Sequence, residues 1–252
     1  QPQAAADQLD KLIELDEMDP RGYLLRARLL FEANQLDPAA SDLTRALEID
    51  SENYQAWQFM GRVHYQKQQY REAVRAFETV MELNPSLLEA SFDLALSQQG
   101  SGQNEEAIRS YQKFLLAFPG DFHAHYFLGL AYRDEGKGDL ALEQFQIAER
   151  IDPNHKELSQ ELGYLLLDRG ELEEAKKRLL RADSESAINL GNLGVIAKRQ
   201  GDHSQAEIDF RRGLELEPDN AALWIQLGDV LSSQQKEREA VEAYRRALRY
   251  KP

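Results

Sequence analysis

Residues 221–252 read AALWIQLGDVLSSQQKEREAVEAYRRALRYKP, and the apolar residues in this stretch stand at helical spacing. Trp224, Leu227 and Gly228 fall at i, i+3 and i+4, with Leu231 a turn later; Ala240, Tyr244 and Ala247 form a second such stripe. Two amphipathic helices joined by a polar turn follow from that pattern. A small residue on each helix lets the two approach closely, and the aromatic beside the second small residue fills the space left over.

The same marks return upstream. The alanine recurs as Ala39, Ala73, Ala107, Ala141, Ala175, Ala206 and Ala240, at intervals of 34, 34, 34, 34, 31 and 34 residues. Four residues after each stands Leu43, Phe77, Tyr111, Phe145, Leu179, Phe210 or Tyr244. Twelve residues before each stands Ala27, Gly61, Ala95, Gly129, Gly163, Gly194 or Gly228. A large apolar residue precedes that small one as Met60, Leu94, Leu128, Leu162, Leu193 or Leu227, and Arg26 is the misfit. Pro85, Pro119, Pro153, Pro218 and Pro252 end the second helices, where proline stops a helix and pre-sets the next turn. Polar glycine stretches such as GSGQN, EGKGD and RGE supply the turn inside a unit.

This arrangement resembles the tetratricopeptide repeat, whose Trp, Leu-Gly, Tyr, Ala, Phe, Ala and Pro marks over about 34 residues are met best by residues 221–252. The resemblance implies an all-α fold, an α-solenoid in which helix-turn-helix units wind into a right-handed superhelix. Seven units are expected, at 20–53, 54–87, 88–121, 122–155, 156–186, 187–220 and 221–252, in one continuous array. Counting back from Ala39 reaches Ala5, with Leu9 and Leu12 after it, so residues 1–19 read as the second helix of a truncated unit. The chain begins with Gln and stops on the repeat proline without a polar capping helix, from which we expect a fragment of a longer polypeptide. The 31-residue unit lacks the usual helix end, so its second helix should stop about a turn early, with Ser184 or Ser186 capping the next helix. An altered rotation between the units at 156–186 and 187–220 and a harmless deletion both remain open.

The chain of 252 residues has no cysteine, which removes thiolate metal sites, disulfides and a cysteine nucleophile. Its net charge of −14 opposes nucleic acid and anionic lipid, and no stretch of about 18 apolar residues suggests membrane insertion. A soluble protein, cytoplasmic or periplasmic, is expected. His123 and His125 stand two apart, on different faces of a helix, and His64, His155 and His203 are scattered. His125 takes the repeat's Trp place and His64 its Tyr place, as packed spacers. Gly136, Lys137 and Gly138 form a turn without the strand or hydroxyl residue of a phosphate loop. The pairs Glu105–Glu106 and Glu173–Glu174 fall at second-helix starts, where carboxylates suit the helix dipole. No catalytic residue, cofactor or metal ligand is therefore expected.

In the tetratricopeptide family the ligand-facing places are usually the second, fifth, ninth, twelfth and thirteenth of each unit. Carried onto this chain, they imply a concave groove whose binding residues include Arg21, Arg28, Phe31, Gln55, Arg62 and Tyr65 in the first two units. Phe92, Tyr126, Arg133, Tyr164, Lys198 and Arg199 continue it. Six groove cations balance six carboxylates over these places, so the excess acid belongs to other faces. A neutral, aromatic, Gln-containing groove suits a peptide with apolar anchors, although half of the aromatics are expected only to pack against the next unit. The family's carboxylate clamp is not met, because Leu24, Arg28, Gln58 and Arg62 hold its places; Arg21, Arg28 and Arg62 still form a candidate site for an acidic tail.

The expected function is a non-catalytic scaffold binding a peptide or protein segment in the groove. The alternative is the recognition or regulatory arm of a larger enzyme, such as a glycosyltransferase or protease complex, or of a bacterial envelope or exopolysaccharide assembly machine. End-to-end self-association through residues 4–15 and Val241, Tyr244 and Leu248 is a third expectation.

Overall fold

The computed structural model describes residues 2–182 and 186–250, with side chains from residue 8 onward. Among the described residues there are fifteen α-helices and no strand. Contacts divide the chain into two compact units, Gln1–Gln144 and Phe145–Pro252. The first holds α1 (Pro2–Leu15), α2 (Pro20–Glu32), α3 (Leu36–Ile49), α4 (Tyr54–Gln66), α5 (Tyr70–Leu83), α6 (Ala90–Gly100), α7 (Asn104–Ala117) and α8 (Phe122–Asp134). The division falls inside α9 (Gly138–Ile151). The second unit continues with α10 (Lys156–Asp168), α11 (Leu172–Arg181), α12 (Ala187–Arg199), α13 (His203–Leu216), α14 (Ala221–Ser233) and α15 (Glu237–Tyr250).

Within the first unit the hairpins α2–α3, α4–α5 and α6–α7 form, and each also packs on the helix that follows it. In the second unit the hairpins α10–α11, α12–α13 and α14–α15 form, and the first two also pack on the helix that follows them. Local chemistry sets the helix starts. Asn53, Asp121 and Asn220 cap first helices, their side-chain oxygens accepting from the N–H groups of Ala56, Ala124 and Leu223 at 2.7–3.1 Å. The turns inside the hairpins each carry one left-handed residue: Asn34, Gln68, Gly102, Gly136, Gly170, Gly201 and Gln235. These recur with the same period as the alanine, which identifies the turn as a repeated unit.

The fourth residue of several units is a side-chain donor that reaches back six positions. Trp57 Nε1–H donates to the Ser51 carbonyl at 2.9 Å and Trp224 Nε1–H to the Pro218 carbonyl at 2.8 Å. His125 stands in for tryptophan here: its Nε2 lies 3.0 Å from the Pro119 carbonyl, and its Nδ1 lies 2.8 Å from the Gln144 amide oxygen. The residue is buried, as a packed spacer should be.

The cores follow the marks. Ala39, Ala73, Ala107, Ala206 and Ala240 are buried, as are Leu43, Phe77, Tyr111 and Phe210. Gly61 is required by its neighbour, since a Cβ there would stand 2.7–2.9 Å from the Phe77 ring. The misfit Arg26 also has a reason: it forms two hydrogen bonds with Asp42 and one with Asp10, each 2.7 Å, tying α2 to α1 and α3.

α11 has 10 residues where α3, α5, α7, α9, α13 and α15 have 14, so the expected early stop is present. Ser186 caps α12, its hydroxyl accepting from Asn189 N–H at 3.1 Å, while Ser184 lies outside the described residues. Ser186→Ala should cost about 1 kcal/mol in urea unfolding, and an unchanged midpoint would show that the cap adds nothing. One expectation needs correction. Tyr244 does not belong to an exposed end face: it packs over Gly228 and donates its hydroxyl to Asp229 at 2.9 Å, whereas Val241 and Leu248 are exposed. No helix among the described residues is long and apolar enough to cross a membrane.

Candidate functional site

In the first unit the ligand-facing places of α2, α4 and α6 converge on a cleft of about 340 Å³. Its floor is Phe77 and Leu96, its walls are Phe31 and Tyr65, and Gln66, Arg62 and Asp93 form the rim. Each position has a local cause. Phe31 and Tyr65 sit in the last turns of first helices, at the same place of successive units. Phe77 points into the hairpin because Gly61 leaves room for its ring. Tyr65 meets Tyr70 edge-on at 5.5 Å, which fixes its ring while leaving it 37% exposed.

Charge in the cleft is internally closed. Arg62 donates through Nε and Nη2 to Asp93 Oδ2 at 3.2 and 3.1 Å. Burial pushes the Asp93 carboxyl above the ordinary carboxylate range, against the opposing pull of Arg62, and burial also raises the Tyr65 phenol. A carboxylate whose folded value is raised contributes stability that is present below its unfolded value and lost as pH rises through the folded one. Asp93→Asn should therefore leave stability equal or higher at neutral pH, with the gap closing in acid. Urea unfolding at pH 7 and pH 3 checks this; a variant weaker at neutral pH would show that the Arg62 pair outweighs burial.

The other expected groove cations are also engaged. Arg21 pairs with Asp19 at 2.6 Å, Arg28 with Glu32 at 3.1 Å and Arg133 with Asp134 at 2.8 Å. In the second unit Lys198 pairs with Asp229 at 2.8 Å, and Arg199 Nη1–H donates to the Leu167 carbonyl at 2.9 Å, satisfying the end of α10. Gln55 is exposed on α4.

The aromatics divide. Phe31 and Tyr65 line the cleft, but Phe92 is packed among Tyr111, Phe114 and Phe127 with ring centroids 5.2–6.2 Å apart. Tyr126 stacks on Phe122 at 6.0 Å with the rings 8° apart. Tyr164 accepts from Gln160 and its hydroxyl lies 3.4 Å from Asn189 Oδ1, in the second unit. Asp93 was not among the expected site residues, since it holds the sixth place of its unit. A signal for it did exist: Arg62 and Asp93 stand 31 apart, and so do Lys198 and Asp229.

Among the described residues no group of three or more His, Cys, Asp or Glu side chains could hold a metal ion. His155 caps α10 by accepting from Leu158 N–H at 3.2 Å, and His64 Nδ1 lies 2.8 Å from the Gln69 side-chain oxygen. Glu105 and Glu106 lie in the first turn of α7, and Glu173 and Glu174 in that of α11.

Comparison with known proteins agrees with this architecture. Patterns described as tetratricopeptide repeat match residues 1–54, 92–156, 161–221 and 192–252, and another match covers residues 30–91. Over 72 residues the chain is 33% identical to the peroxisomal targeting signal receptor of Candida albicans, spanning 29% of this chain and only 12% of that protein. The structure of YrrB, described as a TPR protein with an unusual peptide-binding site, is similar with TM-score 0.63 and 25% identity, covering 80% of this chain and 96% of that one. PilF of Pseudomonas aeruginosa shares the fold at TM-score 0.69 and 17% identity, over 86% of this chain and 98% of its own. The APC/C hetero-tetramer Cut9–Hcn1 does so at TM-score 0.67 and 20% identity, over 100% of this chain and 50% of that chain.

Proposed function

The chain belongs to the tetratricopeptide repeat family, and from that premise we propose that it is a non-catalytic scaffold that holds a peptide or protein segment along its first helices. Proteins of this family mediate protein–protein interaction. The observation that carries the reading is the cleft: Phe31, Arg62 and Tyr65, expected to face a ligand, line one apolar recess together. Gln55 on the same helix, and Arg21, Arg28, Tyr126, Arg133, Tyr164, Lys198 and Arg199 on the other first helices, are proposed to extend the binding surface within each unit, while Phe92 packs inward. The pairing of every one of these cations with a carboxylate or carbonyl weighs against an acidic tail, because a ligand carboxylate would first have to displace an existing partner.

Selection of random displayed peptides on the chain, followed by titration calorimetry, tests the proposal. The double variant Gln55→Ala/Tyr65→Ala should weaken the selected peptides about tenfold or more, as expected for loss of an aromatic anchor. A matched change on α5, Glu72→Ala/Arg75→Ala, should not. The reverse pattern would move the binding surface off the first helices.

End-to-end self-association is a second reading, favoured by exposed Val241 and Leu248 on α15 and Leu12 and Leu15 on α1. Light scattering over a concentration series decides it, and a constant monomer mass would sink it.

A further inference from the structure

We infer that the cleft between α2, α4 and α6 is built to seat a single uncharged aromatic side chain of the bound segment. The inference rests on the proposed peptide-binding role and names what enters. Size comes first. About 340 Å³ is near the lower end of ligand cavities, enough for one large side chain and too small for a whole docked helix.

Charge complementarity then selects the occupant. Among the described residues lining the cleft, the ionised groups are Arg62 and Asp93, and they neutralise each other through two hydrogen bonds. Gln66, the other polar rim residue, already donates its amide to Asn34 Oδ1 at 2.8 Å. A carboxylate or ammonium pushed against Phe31, Phe77 and Leu96 would lose water and gain no unspent counter-charge. An uncharged ring loses little on entering and meets the rings of Phe31 and Tyr65 on two walls, where edge-to-face contacts add to the burial of area.

The recess is also preorganised. Phe77 is 1% exposed and confined by Gly61, and Tyr65 is braced by Tyr70, so the floor and one wall stay in place when the cleft is empty of a side chain. Affinity then does not have to offset an ordering step on the protein side.

The test titrates the full chain, carrying 13C-labelled leucine methyl groups, with N-acetyl-L-tryptophanamide, N-acetyl-L-lysinamide and the α-amide of N-acetyl-L-glutamate. The tryptophan amide should shift the Leu96 methyls saturably, with a Kd about tenfold or more below those of both charged probes, and leave exposed Leu116 unmoved. Leu96→Trp, which fills the recess, should abolish binding of the tryptophan amide as read by titration calorimetry, a readout that does not depend on the replaced leucine. Should that variant melt early, Phe31→Ala removes a wall instead and should raise the Kd about tenfold.

A charged probe that binds as well as the aromatic one overturns the inference. So does an unresponsive Leu96, or a tryptophan amide that still binds after Leu96→Trp. Selected peptides that lose affinity with Gln55→Ala/Tyr65→Ala but bind Leu96→Trp normally would leave the groove reading standing and defeat the aromatic seat. Peptides indifferent to both variants would defeat both.

Discussion

Phe210→Ala is expected to lower the stability of the second unit by about 3–5 kcal/mol, the range for truncating a buried aromatic ring. Phe210 is fully buried and packs in one cluster with Leu214, Leu223 and Leu227. Its ring fills the gap between α12 and α13 that Gly194 leaves, because a Cβ at Gly194 would stand 2.7–2.9 Å from that ring. Gly194→Ala should therefore destabilise by about 1–3 kcal/mol through overpacking, even though alanine favours the helix by up to about 1 kcal/mol. The two sites are coupled by contact, so the double variant Gly194→Ala/Phe210→Leu should lose less than the sum of its singles. Denaturant unfolding of the four proteins measures the cycle. Strict additivity would show that ring and glycine do not share the space the repeat marks assign them. Because repeat stability is a sum of unit and neighbour terms, hydrogen exchange should place the loss at α12, α13 and α14 first.

Arg26→Ala is expected to cost about 3 kcal/mol, because it strands Asp42 without its counter-charge. The Asp42 side chain is only 9% exposed, and both of its oxygens accept from Arg26. The figure is taken at the low end of the range because Arg26 itself is 28% exposed. The pair need not be worth that much as a pair. In residues 54–87 the same two places hold Met60 and Ala76, both buried and apolar. Arg26→Met/Asp42→Ala should accordingly recover to within about 1 kcal/mol of the parent, since it leaves no buried charge unsatisfied and Asp10, 53% exposed, returns to water. Equal losses in the single and double variants, read from urea midpoints, would show that the charge left on Asp42 is not what the single variant loses.

Particular residues show why some of this was legible. Ala73, Phe77 and Gly61 could be read from spacing, because their roles repeat and depend on one hairpin. The short α11 and the cap at Ser186 could be read because each is a matter of a few consecutive residues. Tyr65 holds the twelfth place of its unit and Phe92 the fifth place of the next, both ligand-facing, without this telling which would pack inward. Phe92 meets Tyr111, Phe114 and Phe127; Tyr65 has Tyr70 beside it and stays half-open. Tyr244 looked like part of an exposed face, and its contact with Gly228 and Asp229 places it inside its own hairpin.

The groove charges divide in the same way. That the ligand-facing places carry equal numbers of cations and carboxylates is arithmetic on the chain. Which charges meet is not: Arg62 reaches Asp93 and Lys198 reaches Asp229 across successive first helices, and Arg199 instead satisfies the Leu167 carbonyl.

The repeating hairpin, its turns, its caps and its buried marks were determined by the sequence alone, because helix periodicity, proline, glycine and capping act over a few residues and recur every unit. The cleft, its closed charge and the choice of which aromatic stays open were decided only in the tertiary structure. They depend on side chains some thirty residues apart, whose distance is set by how neighbouring helices pack.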